Sequence, residues 1–525
     1  MKKSLRVLAA SIAPLPILAG VMLAGATNAA AAAPLVAVPH NVNPALAHST
    51  KVGELGANSA VSVAVSLKLR DQAGLSAFLS QVSDPHSAQY KHFLTPAEFT
   101  ARYGPSKADA DAVSSFLAGY GLTVKAPKAN SQVVDATGTA TQVEQAFNTK
   151  LGTYQQASQH FYANETAPAL PASVAGLISG VAGLDSHAVR HTDNVKGTTA
   201  RAASGLTPAQ IKSGYGITGL GTGSGESVAL WEFDGYQTSN ISKYDSNYSL
   251  GSSAPTTESV DGANYDSKPG DGQGEVELDI ELVQAVAPAA STYVYEAPNT
   301  DQGQIDMAAK IASDDKVSVT SISWGECETD SSSATITSTE NELEQGVAEG
   351  ISFYSASGDS GSDDCGDGST AVDYPASDPN VTGVGGTSLT LSSSGAWSKE
   401  TAWSDGGGGK SSVFPNRTVP DVSADANPST GYAIYSAGSW VEYGGTSCAA
   451  PVWSGLTALI DGQSGSKLGN GDAKFAGVGG GSSYGSAFHD ITSGSNGSFK
   501  AGTGYDDVTG WGTPQGAGLY TALEG

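Results

Sequence analysis

A chain of 525 residues, 39% of them hydrophobic and only 15% charged, is long enough for two or three packed domains and reads as loop-rich and globular, not disordered. Its formal net charge of −26 excludes an electrostatic grip on nucleic acid as the main function. The charge is uneven: residues 1–200 carry 14 Lys+Arg against 11 Asp+Glu, and residues 201–525 carry 12 against 41. That asymmetry suits a basic front part held to an acidic body partly by charge and loosened by acid.

In chain order, Lys2, Lys3 and Arg6 precede an apolar run from Val7 to Ala24 and small residues to Ala33. Residues 1–33 therefore read as a secretory signal, and the protein as exported and extracellular. No later stretch is long and apolar enough to span a bilayer. The next segment, 34–185, opens with a Pro/Ala/Asn-rich run to residue 50 that is expected to be loosely ordered. Alternation then predicts a strand over Val61–Leu69, helices over Leu75–Val82 and Ala108–Leu122, and strands at Leu122–Val124 and Val133–Ala136. A helix over Thr141–Phe147 and strand-like pieces at Leu151–Tyr154 and His160–Ala163 follow. The order is compatible with a ferredoxin-like α+β domain. Residues 186–204 are polar and aperiodic, and read as a linker with a cleavage site.

From 205 to 525 strand-like runs (Ser227–Phe233, Ser291–Glu296, Val317–Trp324, Ile351–Ser355, Val381–Val384) alternate with helical patterns near 274–287, 306–315, 338–349 and 447–462. This predicts an α/β body, a mostly parallel sheet with helices on both faces, with its chemistry beyond the C-terminal strand ends. Secretion permits disulfides; Cys327 and Cys365 lie in polar loops and form the candidate pair. Cys448, in an apolar helix start, reads as a buried free thiol.

Ser447 stands where a glycine pair, Gly444-Gly445, runs into that last helix. Such a serine is either an N-cap or a nucleophile beside a positive helix end. A nucleophile needs a base. Seven of the eight histidines precede the acidic body, and His489 within it sits before Asp490 in a Gly/Ser-rich loop, a structural position. Carboxylates are the alternative. Glu277, Glu281 and Gln284 share one stripe of the 274–287 helix, its natural wet face. Glu275 and Asp279 fall on the opposite side among Leu282, Val283 and Val286, where two acids are costly unless they serve something. Close, desolvated carboxylates share a proton, one serving as base and the other holding and orienting it. An ordinary acidic helix with Glu275 in its first turn fits the same spacing. Asp359, on a tight Ser-Gly-Asp-Ser-Gly loop after a hydrophobic strand, is either a turn residue or a protonated donor to an oxyanion.

Together, Gly-Gly-Thr-Ser447 with Pro451, the pair Glu275 and Asp279, and Ser-Gly-Asp359-Ser-Gly resemble the sedolisin (serine-carboxyl peptidase) family, kumamolisin-like members included. Phe488-His489-Asp490-Ile491 and Ala501-Gly502-Thr503-Gly504-Tyr505-Asp506 are similar to it too, and residues 34–185 resemble its activation prodomain. The resemblance implies a subtilisin-like fold with Ser447 as nucleophile, Glu275 as base, Asp279 bonded to Glu275, and Asp359 lining the oxyanion hole. It also implies one structural calcium, held by side chains of Asp490 and Asp506 and carbonyls of Ile491, Gly502 and Gly504, an all-oxygen set. Val276 after the base and Cys448 after the nucleophile depart from the family's usual pattern.

The function expected is a secreted, acid-active endopeptidase, a monomer made as a self-processing proenzyme. Its partners are protein or peptide substrates and its own prodomain as an intramolecular inhibitor, with no nucleic acid and no membrane once the signal is removed. The alternatives are a tripeptidyl exopeptidase of the same family and a non-catalytic secreted binding protein.

Overall fold

A computed structural model describes residues 34–38, 41–126, 130–197 and 205–524. The expected signal over 1–33 and the last part of the linker, 198–204, lie outside the described residues. Residues from Leu35 onward belong to one compact unit.

In the front part, β1 (Ala60–Leu67) is followed by α1 (Gln72–Ser83), α2 (Lys107–Gly119), β2 (Thr123–Val124), β3 (Val133–Thr139), α3 (Ala140–Phe147) and β4 (Ile178–Ala182). The strands lie in the order β2-β3-β1-β4, every pair antiparallel. That is the ferredoxin-like arrangement. Val61, Val63 and Val65 of β1 meet Val134, Val143 and Phe147 in one core. Thr139 caps α3 reciprocally: its hydroxyl accepts from Gln142 N, and Gln142 Oε1 accepts from Thr139 N.

The expected closing strand, Leu151–Tyr154, pairs elsewhere, in a three-stranded sheet with 50–54 and 159–164. The strand that closes the main sheet is β4, whose Ser179, Gly180 and Ala182 carry almost no hydrophobic signal. They are small because the sheet's second face lies on the body: Ala64, Val133 and Ala182 pack on Ile305. A Cβ on Gly180 would come within 3.2 Å of Ala334 atoms. The run expected to be loose is held as well. Asn41 exchanges hydrogen bonds of 2.8 and 3.0 Å with Val181, and Asn43 donates to Asp185 at 2.9 Å.

Two short linker strands, β5 (His191–Thr192) and β6 (Val195–Lys196), lead into the body. Its elements are β7 (Ser227–Glu232), β8 (Thr256–Ser259), α4 (Gln273–Val286), β9 (Ser291–Glu296), α5 (Asp301–Asp314), β10 (Val319–Ile322) and β11 (Trp324–Cys327). Then come α6 (Ser333–Ala348), β12 (Ser352–Ala356), β13 (Val381–Leu391), β14 (Trp397–Ala402), β15 (Val422–Asp425), the hairpin β16 (Tyr432–Ser436) and β17 (Ser439–Gly444), and α7 (Thr446–Ser464). The main sheet runs β8-β9-β7-β10-β12-β13-β14, with β15 also on β13. Only β13–β14 is antiparallel.

Alternation within β7 sorts the helices. Val228 and Leu230 face α4 and α7, while Ala229 and Trp231 face α5 and α6. This is the subtilisin-like architecture that the motifs imply. Where α4 and α7 cross, Gly455 permits close approach: a Cβ there would stand 2.8 Å from the Val286 Cβ.

One expectation fails on α4. Glu277, Glu281 and Gln284 are not on a wet face; each is 0–1% exposed. The helix is enclosed between the sheet, α7 and the β16–β17 hairpin, so its polar stripe is met by protein. Glu277 accepts from Asn240 Nδ2 (2.7 Å), Gln237 N (3.0 Å) and Gln273 Nε2 (2.9 Å), and Glu281 from Tyr435 N (2.8 Å). Periodicity reports which side of a helix is polar, not whether water reaches it.

Candidate active site

Three chain segments converge beyond the C-terminal strand ends. Ser323 follows β10, the Ser357-Gly358-Asp359 turn follows β12, and Ser447 stands in the first turn of α7. The N-cap of α7 is Gly445, at φ +107°, and no side chain caps the helix, so the Ser447 hydroxyl is not used as a cap. It donates to the Ser323 carbonyl at 3.2 Å and lies near Glu275, toward which the same proton could instead be turned.

Glu275 and Asp279, one turn apart on α4, are both fully buried. Burial and the neighbouring Asp279 charge push the Glu275 carboxyl well above its ordinary range, while hydrogen bonds from Asn194 and Ser447 oppose the rise. Asn194 Nδ2 donates to Glu275 Oε2 at 2.5 Å. Asp279 Oδ1 accepts from Ser323 Oγ at 2.8 Å. Its carboxyl also lies against that of Glu232, at the end of β7, so that the two could be hydrogen-bonded only by sharing a proton. Burial, then the Glu232 charge, hold Asp279 well above the usual range. Glu232 in turn accepts from Trp324 Nε1 at 2.7 Å. Glu275 Oε1 and Asp279 Oδ2 are buried without a hydrogen-bond partner.

Asp359 binds the start of α7 from the other side. Its Oδ1 accepts from Thr446 N (2.8 Å) and Thr446 Oγ1 (2.9 Å). Oδ2 is buried without a partner, and burial plus the Asp193 charge raise the carboxyl well above its ordinary value. A proton held on this group would be free to be donated through Oδ2.

Linker residues 190–197 occupy the space between these groups as an extended strand. His191 and Thr192 pair antiparallel with Gly325 and Trp324, and Val195 and Lys196 with Gly444 and Tyr443. Asp193 N donates to the Ser323 carbonyl at 3.3 Å, and the Asp193 carbonyl accepts from Ser447 N at 2.9 Å. A Cβ on Gly445 would lie 2.2 Å from that carbonyl oxygen and 2.6 Å from Asp359 Oδ2. The bare glycine thus leaves a gap in which the backbone N–H of Ser447 and the Asp359 carboxyl face one peptide oxygen.

The sequence reading did not single out Asn194, Glu232, Ser323 or Trp324. Only Glu232 carried a signal, an acid directly after the apolar run Val228–Trp231. His489 stacks on Trp397 with ring centroids 4.0 Å apart, and burial lowers its imidazole to about 4. Cys327 and Cys365 are joined, and Cys448 is free and buried.

Two of the cation ligands implied by resemblance, Asp490 and Asp506, reach one loop. Asp490 Oδ1 accepts from Gly504 N (3.1 Å) and Asp506 Oδ2 from Gly502 N (2.7 Å), so both carboxylates reach the same glycine turn. Asp506 Oδ1 is tied to Val508 N and Thr509 N. Two carboxylates anchored on one turn are the kind of oxygen ligand that suits a hard cation.

Comparison with known proteins agrees with this architecture. A model of the pro-kumamolisin activation domain matches residues 47–187, and a model of the subtilase family matches 259–468. The chain is 32% identical over 510 residues to Sedolisin of Pseudomonas sp. (strain 101), covering 88% of this chain and 86% of that protein. It is 32% identical over 515 residues to Kumamolisin of Bacillus sp. (strain MN-32), covering 88% and 91%. Among solved structures, Pseudomonas sedolisin, a serine-carboxyl proteinase complexed with two molecules of pseudo-iodotyrostatin, superposes with a TM-score of 0.56. Its identity is 30%, over 61% of this chain and 98% of that one.

Proposed function

Because the chain belongs to the sedolisin family of serine-type peptidases and carries its activation prodomain, we propose that it is an acid-active endopeptidase that first cuts its own linker. In this reading residues 34–185 are the inhibitory prodomain, 186–204 the linker and 205–525 the peptidase, with 1–33 as a removed secretory signal.

Ser447 Oγ attacks the carbonyl carbon of the bond to be cut while its proton passes to Glu275. The oxyanion is met by Ser447 N–H and by the proton of Asp359. Protonated Glu275 then gives its proton to the departing amine, leaving an acyl group on Ser447. Water, deprotonated by Glu275, releases the acid and restores the hydroxyl. Asp279, held by Ser323 and sharing a proton with Glu232, steadies the charge on Glu275. The observation that carries this reading is the Asp193 carbonyl, facing both oxyanion donors with Glu275 beside the serine. In this reading Asp193–Asn194 is the self-processing bond.

The alkaline limit follows from two protons. Asp359 must hold one to donate it, and the Asp279–Glu232 pair must share one. All three carboxyls are raised by burial, so the protons stay on well above the ordinary carboxyl range and leave as pH climbs further. Activity is accordingly lost on the alkaline side.

The endo mode is supported by the linker itself, which continues through the cleft for at least three residues on each side of Asp193–Asn194. A tripeptidyl peptidase must close the cleft behind the third residue; here Arg190 lies in fourth position, buried. Calcium is proposed at Asp490, Asp506 and the carbonyls of Ile491, Gly502 and Gly504, where it would brace the C-terminal loop and take no part in the reaction.

A pH–rate profile on a denatured protein, with wild type and Glu275→Gln, tests the proposal. Wild type is expected to cut internally with an acidic optimum and to expose Asn194 as a new N-terminus. Glu275→Gln is expected to lose at least a thousandfold in kcat. Full activity of Ser447→Ala or Glu275→Gln would end the reading, and stepwise release of tripeptides would replace the endo mode with the exo one.

A further inference from the structure

Arg190 is buried to 2% exposure, and its side chain has no exposed surface. Its Nε donates to Gln304 Oε1 at 2.8 Å, and its Nη2 donates to Asp301 Oδ1 at 2.7 Å and Glu326 Oε1 at 2.8 Å. Its backbone is held on both sides by one residue: Asn299 Oδ1 accepts from Arg190 N at 3.0 Å, and Asn299 Nδ2 donates to the Arg190 carbonyl at 2.8 Å. Register with Gly325, and the bonds of Asp193 to Ser323 and Ser447, fix Arg190 as the fourth residue before the Asp193–Asn194 bond.

We propose that the pocket made by Asp301, Gln304 and Glu326 is a substrate subsite of the processed enzyme, taking an arginine side chain four residues before the bond that is cut. The proposal rests on the reading of the cleft given above and extends it to substrate choice.

Three features support it. First, the three side chains that bond Arg190 belong to the body, Asp301 and Gln304 to α5 and Glu326 to β11, so they stay when the prodomain leaves. Second, the two acids are braced independently of Arg190. Asp301 Oδ2 accepts from Thr335 Oγ1 at 3.1 Å, and Glu326 Oε1 accepts from the Ser331 hydroxyl. A pocket so braced does not collapse when vacated; it presents two carboxylates without a counter-charge. Third, the two carboxylates meet one nitrogen, Nη2, and the Gln304 oxygen meets another, Nε, so the acceptors are spread over two nitrogens of a planar group; a lysine ammonium offers three donors from one point and is expected to reach the acids without the same fit to Gln304. Asn299 reads only backbone, as a substrate subsite requires and a prodomain-specific latch does not.

The full wild-type chain is allowed to process itself, and the product is assayed on three internally quenched peptides, Val-Xaa-His-Thr-Asp-Asn-Val-Lys with Xaa as Arg, Lys or Ala. The expected kcat/KM for Arg exceeds that for Ala by at least tenfold, with Lys between, every peptide being cut at Asp-Asn. Glu326→Gln is expected to shrink the Arg-over-Ala ratio below threefold while leaving kcat/KM on the Ala peptide within twofold of wild type. Equal cutting of the Arg and Ala peptides by wild type overturns the subsite and reduces Arg190 to a latch of the precursor. An undiminished ratio in both Glu326→Gln and Asp301→Asn overturns it too. If a variant fails to process, the wild-type peptide series decides alone. Failure to cut any peptide, or a denatured protein, is the distinct result that ends the peptidase reading itself.

Discussion

Asp359 shows how one side chain can set the pH range of a site. It is buried, raised, and bonded through Oδ1 to Thr446, which leaves Oδ2 to face the peptide oxygen. Replacing it with asparagine supplies an N–H that no pH removes. Asp359→Asn is therefore expected to retain activity further toward neutral pH than wild type, whereas Asp359→Ala loses about 10²–10³ in kcat. An alkaline limb in Asp359→Asn identical to that of wild type would assign the limb to Asp279 and Glu232. Gly445→Ala tests the same gap from the backbone: its Cβ would collide with the Asp193 carbonyl position, and φ +107° disfavours any side chain there. Loss of processing without loss of fold is the expected outcome, read by N-terminal sequencing and circular dichroism. Glu275, Asp279 and Ser447 stood out in the sequence because carboxylates on an apolar helix face and a serine at a glycine-helix junction break local rules. Asn194 and Ser323 break none. A lone polar residue in a linker or after a strand carries no periodic signal, so their parts in the site came only from three-dimensional proximity.

The pairing of α4 with α7 brings Glu275 to Ser447. Their separation is set by Gly455, which lets Val286 approach within the reach of a methyl group. Gly455→Ala is expected to cost about 1–3 kcal/mol of stability by overpacking and to lower kcat more than it raises KM, since it moves the base from the nucleophile. A change in KM alone would place the effect elsewhere. The strands and helices of the body were largely readable because each is long and strongly patterned. Ser291–Glu296 runs as expected, and the four expected helices differ only at their ends. The β16–β17 hairpin was missed, as its Tyr, Ser and Gly residues alternate weakly. So was the real course of β4, whose small residues are chosen by the surface they touch.

At the scale of the molecule, charge asymmetry reads differently once the parts are assembled. The basic front part meets the acidic body through Lys91–Glu524, Lys125–Asp261 and the Arg190 pairs. The rest of the contact includes buried neutral and acid-to-amide bonds, such as Gln72 donating to both oxygens of Glu344. Burial raises Glu344 to about 7 and Glu349 to about 9. A carboxyl raised in the folded state keeps a proton that the unfolded chain releases above about 4.5. Stability from these groups is thus fully present in acid and is lost as pH climbs through 7 to 9. The melting temperature of the uncut Ser447→Ala chain is expected to fall from pH 5 to pH 8, and its prodomain to stay docked in acid. Dissociation of that uncut chain in acid, seen by small-angle scattering, would restore the expectation of charge-driven release. Chelation at the working pH is expected to lower the melting temperature by several degrees through the 490–506 loop; an unchanged value removes the calcium proposal.

The bond between Cys327 and Cys365 joins the end of β11 to the loop that follows Asp359. β11 is the shelf on which the linker lies, so one covalent tie steadies both the floor and the rim of the cleft. A polypeptide produced in a thiol-reducing cytosol would still have its sheet and its buried acids. Its shelf would wander, and the defect would show as weak capture of substrate with turnover largely preserved. Recombinant material is therefore best judged by its redox history before its kinetics are interpreted.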